Sequence, residues 1–361
     1  MSRLDELIAE LCPDGVEFMN LEDCCTVLDR KRKPITKAAR EAGDYPYYGA
    51  NGIQDYVADY IFDGTFILVG EDGSVITPTG RPVVNWAEGK IWVNNHAHIV
   101  AEKEGVLLRF LYHFIQTVDV TAYIHGNIPK FTGGDFKAVQ VPVPPIEVQS
   151  EIVRILDNFT ELTAELTAEL TARKKQYEYY RDELLSYDGC EEKTLGELVK
   201  IKNGSDYKSF PEGDIPVYGS GGIMTYIDRA AYDKPTVLIP RKGSVDKLYY
   251  VDTPFWNVDT IFYTDIDNTR IIPKYLFYLL QKEHLEQYNT AGGVPSLTQT
   301  ILNKVKLKVP NLVRQQYVVE TLDRFDAICN DISSGLPAEI EARQKQYEYY
   351  RDKLLTFKQL A

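Results

Sequence analysis

Apolar residues in this chain follow two rhythms, and the change between them marks its organisation. Short runs such as Thr65-Phe66-Ile67-Leu68-Val69 and Thr236-Val237-Leu238-Ile239 are bounded by Gly, Pro and Asp, which predicts strands. Phe110-Leu111-Tyr112-His113-Phe114-Ile115 and Tyr275-Leu276-Phe277-Tyr278-Leu279-Leu280 predict short buried helices, although periodicity alone does not separate such runs from strands. A longer rhythm begins near Leu156. Leu156, Phe159, Thr163, Leu166, Leu170, Arg173, Tyr177, Tyr180 and Leu184 alternate steps of three and four, a heptad seam interrupted at Thr163 and Arg173. Within it Glu161-Leu162-Thr163-Ala164 recurs at 165–168 and 169–172, and every residue of the unit suits a helix, so the stretch reads as a spacer of adjustable length. A second helical stretch is broken by Ser333-Ser334-Gly335-Leu336-Pro337, where Gly and Pro end one helix and start another.

These rhythms occur twice. Residues 172–185 return as residues 342–355 with 12 of 14 positions identical, at an offset of 170. Weaker echoes fill the interval. Tyr48-Gly49-Ala50-Asn51-Gly52-Ile53 answers Tyr218-Gly219-Ser220-Gly221-Gly222-Ile223, and Gly73-Ser74-Val75 answers Gly243-Ser244-Val245. Val143-Pro144 with Gln149, Ile152, Leu156-Asp157 and Phe159 answers Val309-Pro310 with Gln315, Val318, Leu322-Asp323 and Phe325. The chain is a tandem duplication in which each half is a divergent globular block followed by a nearly identical helix. The scaffold stays fixed while the surface it carries differs. The expected fold is α+β: an N-terminal segment (1–17), a globular block (18–146), a central spacer helix (147–187), a second block (188–311) and distal spacer helices (312–361). The two helical stretches are expected to pair antiparallel as a coiled coil, giving a pseudo-two-fold arrangement with one block at each end.

Composition narrows the class. A chain of 361 residues exceeds what a single core usually organises, and no apolar run reaches the length of a membrane span. The acidic opening Met1-Ser2-Arg3-Leu4-Asp5-Glu6-Leu7 is unlike a signal peptide. Five cysteines without a C-x-x-C pair fit neither a disulfide framework nor a zinc site, and match the reducing cytoplasm. The net charge of -13 argues at first against nucleic acid, but its distribution matters more. Residues 18–146 hold 12 Lys/Arg against 15 Asp/Glu and residues 193–311 hold 15 against 13, so the blocks sum to -3 + 2 = -1. The acid sits on the helices and the N-terminal segment, leaving two near-neutral blocks with local basic loops. A partner is expected to supply part of the phosphate-contacting charge.

Two divergent halves, each closed by a near-identical helix, resemble the specificity subunit of type I restriction-modification enzymes. The opening residues Leu4 to Glu17, the paired Tyr-Gly turns at 48 and 218 and the Val-Pro exits at 143 and 309 carry the resemblance, which extends over essentially the whole chain. It implies two target-recognition domains, each reading one half of a split sequence in double-stranded DNA, and long helices that space them. It also implies two methyltransferase subunits docked on those helices, two restriction subunits that use ATP, and no catalytic site, cofactor, metal or membrane attachment in this chain. The break at Gly335 to Pro337 departs from the symmetry the repeat leads one to expect.

The residues are in keeping with a non-enzyme. The nearest approach to an N-P-P-Y base-gripping loop is Asn127-Ile128-Pro129-Lys130-Phe131, which lacks the second Pro, and no phosphate-cradling G-x-x-x-x-G-K-[ST] is present. Pro13-Asp14 with Glu17 lacks the Lys of a nuclease centre. For DNA, Arg30-Lys31-Arg32-Lys33, with Lys37 and Arg40 behind it, offers phosphate contact, or else a solvated loop. Tyr48 and Asn51 in the first turn, and Tyr218 and Ser220 in the second, offer aromatic and hydrogen-bonding contact with bases, or else form ordinary turns. Arg241 suits guanine while Lys242, Ser244 and Lys247 suit phosphate. The aligned Glu71-Asp72 reverses that charge and could accept from cytosine, or else caps a turn. His96 and His98 read as core histidines, whereas His125 and Asn127 could face DNA. Tyr179 and Tyr349 lie off the seam at equivalent positions, as docking sites for two copies of one partner would. A stand-alone two-domain DNA-binding protein is the alternative reading.

Overall fold

A computed structural model describes residues 2–73, 75–123, 129–187, 189–289, 296–330 and 335–360. They form two compact units, Met1–Leu166 with Ile340–Ala361, and Thr167–Glu339. Each unit is α+β. The helices do not make a module of their own: the boundary between units falls inside the 39-residue helix Ile146–Leu184, and each unit takes part of it. The second helical stretch is split as the Gly and Pro positions require, into an exit helix Leu312–Asn330 and a closing helix Leu336–Leu354. Ser333 and Ser334 lie outside the described residues, as do Ser74, His125 and Asn127.

In the first unit a six-stranded sheet runs in the order Thr26–Val27, Ala97–Ala101, Phe62–Gly70, Val84–Val93, Ala42–Gly49, Gly52–Val57. Its centre is the antiparallel pair Phe62–Gly70 and Val84–Val93, in register from Phe62↔Ile91 to Val69↔Val84. The second unit repeats the plan in two pieces. Val199–Lys202, Ile261–Ile266, Thr236–Pro240 and Tyr249–Val251 form one sheet, and Gly222–Ile227, Ile215–Gly219 and Trp256–Asn257 the other. The apolar runs expected to be helical are helices, Leu108–Ile115 and Pro273–Lys282, each buried against its sheet. A two-stranded ribbon closes the base of each block, Glu17–Asn20 with Gln140–Val143 and Glu191–Thr194 with Lys306–Val309.

The Val-Pro exits lead into the helices through one repeated device. Gln149 is fully buried; its Oε1 accepts from the Leu107 N–H at 2.9 Å, and its Nε2 donates to the carbonyls of Gly105 and Pro144. Gln315 is also fully buried, accepts from the Ile272 N–H at 2.8 Å and donates to the carbonyls of Arg270 and Pro310. Each amide satisfies three backbone groups where a block meets its helix, and each unmet buried group would cost about 1–3 kcal/mol. About two helical turns later, Asp157 takes Arg109 and His113, as Asp323 takes Lys274 and Tyr278.

The duplicated helix ends complete these bases. In the first unit Tyr347, Arg351 and Leu355 are buried, and in the second Tyr177, Arg181 and Leu185. The spacing of four places each set on one helical face. This corrects the heptad seam. Tyr177 is buried as expected, but its companions are Arg181 and Leu185, while Tyr180 is exposed and Arg173 lies in solvent. The seam does persist between 161 and 172, where Thr163, Leu166 and Leu170 are half-buried and their neighbours exposed. Phe159 stacks on Tyr350 at 5.4 Å, and Tyr180 on Phe325 at 5.7 Å. Each stack joins an early turn of one helix to a late turn of another, the pattern of antiparallel neighbours.

One difference between the units titrates. His113 is fully buried, with Nε2 2.8 Å from Asp157 and Nδ1 3.0 Å from the Tyr347 hydroxyl; Tyr278 stands at the equivalent place. Burial holds the imidazole below its usual value despite Asp157, and pushes the Tyr347 phenol up to about 12. A neutral histidine in the fold that charges more readily when unfolded stabilises the unit at high pH. That stability fades as pH falls through the unfolded value of about 6.5. Asp157, held below its ordinary value, loses its contribution only in a more acidic range. Between about pH 7 and pH 5, amide-exchange protection of Leu108–Ile115 should therefore drop while that of Pro273–Lys282 holds. His113→Tyr should remove the drop, and an unchanged pH profile in that variant would place the sensitivity elsewhere.

Candidate nucleic-acid interface

The two Tyr-Gly turns are hairpin tips of the same construction. Gly49 pairs with Gly52 and Tyr48 with Ile53, leaving Ala50-Asn51 as a two-residue loop. Gly219 pairs with Gly222 and Tyr218 with Ile223, leaving Ser220-Gly221. Gly52 at φ +95° and Gly222 at φ +116° occupy backbone that side-chain-bearing residues avoid, which explains the repeated glycine. Both hairpins shift register immediately before the tip, and both tips are tied to a parallel strand, by Asn94 N–H to the Tyr48 carbonyl and Val258 N–H to the Tyr218 carbonyl, each 3.0 Å.

Burial sorts the residues of these turns. Tyr48 is buried in the core with Phe62, Phe66 and Ile91, and Tyr218 packs against Tyr249 and Phe255. Desolvation raises both phenols. They brace the hairpins from inside, which corrects their reading as base-contacting aromatics. Asn51 is exposed at the first tip. Ser220 is half-buried, its N–H donating to Thr260 Oγ1 and its carbonyl accepting from the Tyr249 hydroxyl. The hairpins also expose apolar residues that the sequence reading did not single out: Ile53 and Tyr56 on one, Ile223, Met224 and Tyr226 on the other. The recurrence of Ile53 as Ile223 and of Tyr56 as Tyr226 at the repeat offset was the available signal.

The basic run is divided. Arg30, Lys31, Lys33 and Lys37 are exposed. Lys33 is fixed by its backbone, its N–H donating to the Val93 carbonyl and its carbonyl accepting from Trp92 Nε1 at 2.6 Å. Arg32 turns inward, which corrects its assignment to phosphate. Its guanidinium bonds Glu71 at 2.5 Å and the Ala97 carbonyl at 2.8 Å, and lies 3.6 Å from Asp29. His98, fully buried as expected, joins through Asp29 at 2.6 Å and donates from Nε2 to the Phe131 carbonyl at 2.9 Å. Burial pushes the Asp29 carboxyl up, but hydrogen bonds from His98 and the Ile99 N–H and the charge of Arg32 outweigh it and leave it below its ordinary value. Asp29, Glu71 and His98 are spaced as metal ligands could be, yet Arg32 already supplies the cation among them. His96 departs from the core reading: it is exposed and meets Asp72. Arg40 lies over the Tyr47 ring and bonds Asp55, so it too is engaged internally.

The second unit rearranges this charge. Lys33 N–H and Trp92 find their counterparts in Ser205, whose N–H donates to the Asn257 carbonyl, and in Trp256, which donates to the Ser205 carbonyl. Gly204 therefore stands where the first unit has Arg32, and a side chain there would come within 2.1 Å of the Val258 carbonyl. Arg241 stands where the first unit has Glu71. Arg241 is half-buried, with its guanidinium 5.8 Å from the Phe262 ring and its backbone held by Thr260 and Leu297. Lys242 and Lys247 are exposed. Gly243 lies beside Ser220, its missing side chain 3.6 Å from Ser220 Oγ, so the basic turn and the hairpin tip adjoin. In the first unit it is Gly70, three residues before the aligned Gly73, whose missing side chain meets the Ala50 carbonyl of the hairpin tip, at 2.9 Å. On the helices, Tyr179 and Tyr349 are 66% and 62% exposed. No described helix is long and apolar enough to cross a membrane.

The sequence matches, at residues 13–173 and again at 187–342, the family described as the type I restriction modification DNA specificity domain. A Haemophilus influenzae protein that carries the name of a type I restriction enzyme specificity subunit is 36% identical, over 95% of this chain and 96% of its own length. The EcoR124I/EcoR124II specificity subunit of Escherichia coli is 36% identical over 70% of this chain and 71% of its own. The crystal structure of a type I restriction-modification S subunit from M. genitalium superposes with a TM-score of 0.62, at 18% identity, over 94% of this chain and 96% of that one.

The division of the basic run has a direct consequence. Arg32→Ala strands Asp29 and Glu71 in a mostly buried site and should destabilise the first unit by about 3 kcal/mol. Lys31→Ala and Lys33→Ala should leave thermal unfolding unchanged. Equal unfolding midpoints for all three variants would return Arg32 to the exposed set.

Proposed function

This chain belongs to the family of type I restriction-modification specificity subunits, and from that membership we propose how its two units divide the work. Each unit reads one half of a split sequence in double-stranded DNA. In the first, Arg30, Lys31, Lys33 and Lys37 hold phosphate and Asn51 reaches a base edge. In the second, Arg241 reads a base while Lys242 and Lys247 hold phosphate, with Ser220 beside them at the tip. The observation that carries this reading is the exchange of charge at one scaffold position. Glu71 is neutralised internally by Arg32, whereas Arg241, at the position of Glu71, has a glycine, Gly204, at the position of Arg32 and forms no ion pair among the described residues. Two surfaces so built on one plan would prefer different half-sites.

Catalysis is left to partners. Two methyltransferase subunits dock on the helices, where Tyr179 and Tyr349 offer equivalent exposed aromatics, and two ATP-dependent restriction subunits join them in the cytoplasm. The net charge of -13 fits this arrangement, because a chain so acidic gains DNA affinity when its partners contribute cations.

The test is methylation-site mapping in cells that express the chain with its methyltransferase. Arg241→Ala should relax one base position of one half-site, a discrimination worth about 1–3 kcal/mol, and leave the other half-site intact. Lys31→Ala should instead weaken methylation of all sites evenly and reduce its salt dependence. An even loss for Arg241→Ala with unchanged preference would contradict the assignment.

A further inference from the structure

One loop differs in length between the two units. In the first, residues 76–83 lie between Val75 and Val84; in the second, only Asp246 and Lys247 lie between Val245 and Leu248. The strand registers fix this alignment, since Leu68 faces Asn85 as Leu238 faces Tyr249. The longer loop is anchored at both sides. The Gly80 carbonyl accepts from the Val120 N–H at 3.1 Å, and Gly80 lies against Thr121. Arg81 donates from Nη2 to Asp352 Oδ2 at 3.4 Å, while Arg351 takes Oδ1 of the same carboxylate at 2.8 Å. Two guanidiniums thus share one carboxylate. Hydrogen bonds from Thr121, and then the charge of Arg81, also hold the Asp119 carboxyl below its ordinary value.

The second unit keeps the frame and lacks the arginine. Arg181 donates to Asp182 Oδ1 at 2.9 Å, as Arg351 does to Asp352, but no second cation pairs with Asp182 among the described residues. Lys282 donates instead to Ser186 Oγ at 2.7 Å. Where the first unit has its loop there is a cavity of 210 Å³. Counting from His113 and Tyr278, residues Asp119, Val120 and Thr121 are answered by His284, Leu285 and Glu286, which line the cavity with Arg181, Gln281 and Asp246. Leu285 is buried, whereas Asp246, His284 and Glu286 are exposed, and one oxygen of Glu286 meets His284 at 3.1 Å. Gln281 Oε1 is buried and has no hydrogen-bond partner among the described residues, while its counterpart Gln116 donates to the Tyr112 carbonyl. Relative to the first unit the place has lost one arginine and gained two carboxylates, because Asp246 stands for Ile76 and Glu286 for Thr121. An unmet buried acceptor and uncompensated negative charge both favour a cationic donor.

We propose that this cavity binds a guanidinium group on a short alkyl stem, which donates to Gln281 Oε1 and shares its charge among Asp182, Asp246 and Glu286. Arg81 shows in the first unit that the same frame accepts that group. The positive charge of Arg181 is no obstacle, since Arg351 stands in the same relation to Arg81. A planar fork with several fixed donors suits an amide oxygen set among carboxylates better than a compact ammonium does. One ligand chemistry here has two sources, a free guanidine and an arginine side chain of another chain.

The test is titration calorimetry of the full chain with agmatine, whose guanidinium sits on a short alkyl stem. One saturable site is expected. Asp182→Asn and Glu286→Gln should each weaken it roughly tenfold, and spermidine, which carries only ammonium groups, should bind the unaltered chain more weakly than agmatine by at least as much. Arg81→Ala empties the equivalent place in the first unit and should raise the stoichiometry to two. No saturable site, a site that both carboxylate variants leave unchanged, or equal affinity for spermidine overturns the inference. Repeating the titration on the chain assembled with its methyltransferase subunit distinguishes the sources. Loss of the site on assembly assigns the guanidinium to an arginine of the partner, and retention assigns it to a free guanidine. None of these results bears on which bases are read, so the proposed function stands or falls separately.

Discussion

A two-stranded ribbon and a short helix cannot by themselves bury the apolar underside of either globular block. Each block closes instead on two helical pieces that are distant in sequence. The first rests on the opening turns of its own exit helix, with Val148, Ile152 and Leu156 buried, and on Tyr347 and Leu355 from the end of the chain. The second rests on Val318 and Leu322 and on Tyr177 and Leu185, which come from the helix between the blocks. This requirement accounts for the near-identity of the two helix ends. Both must present a tyrosine, an arginine and a leucine at spacings of four to seats made alike. The buried glutamines at 149 and 315 hold each block to its helix by satisfying backbone groups that water cannot reach.

Once the base is fixed, the far end of each block is free to diverge. The hairpin tips keep their glycines and their inward tyrosines, since those serve the backbone and the core. The charges around them do not repeat. Arg32 with Glu71 in one unit becomes Gly204 with Arg241 in the other, so a closed ion pair gives way to a guanidinium over the Phe262 ring that has no ion pair among the described residues. A constant frame with a variable surface suits a specificity subunit, because the fold is held while the surface that differs between the two units changes.

The fold was legible in the sequence where local chemistry decides it. Thr65 to Val69 and Thr236 to Ile239 announce strands, Gly335 and Pro337 announce the helix break, and the offset of 170 announces the duplication. The site was less legible because its residues are judged by distant partners. Arg32 belongs to an exposed-looking basic run until Glu71, 39 residues away, draws it inside. Tyr48 and Tyr218 look like exposed turn aromatics until the strands beneath them close. The heptad rule gives only part of the packing near the end of the central helix: Tyr180 stacks on Phe325 of the exit helix and Leu184 is half-buried as the seam requires, but the helix also meets a globular base, which buries Arg181 and Leu185. The correspondence of Gly204 with Arg32 has no sequence signal and emerges only from the matching hydrogen bonds of Lys33 and Ser205.

If the seats are equivalent and the reading surfaces are not, either block should work in either seat. The direct measurement is methylation mapping with a chimera in which residues 195–309 replace residues 21–143, leaving both helical stretches untouched. The account predicts that the split target becomes an inverted repeat of the half-site read by the second unit, with the spacer between halves unchanged. Retention of the original two half-sites in a chimera that still methylates DNA would show that sequence is read elsewhere in the chain, and would contradict the account.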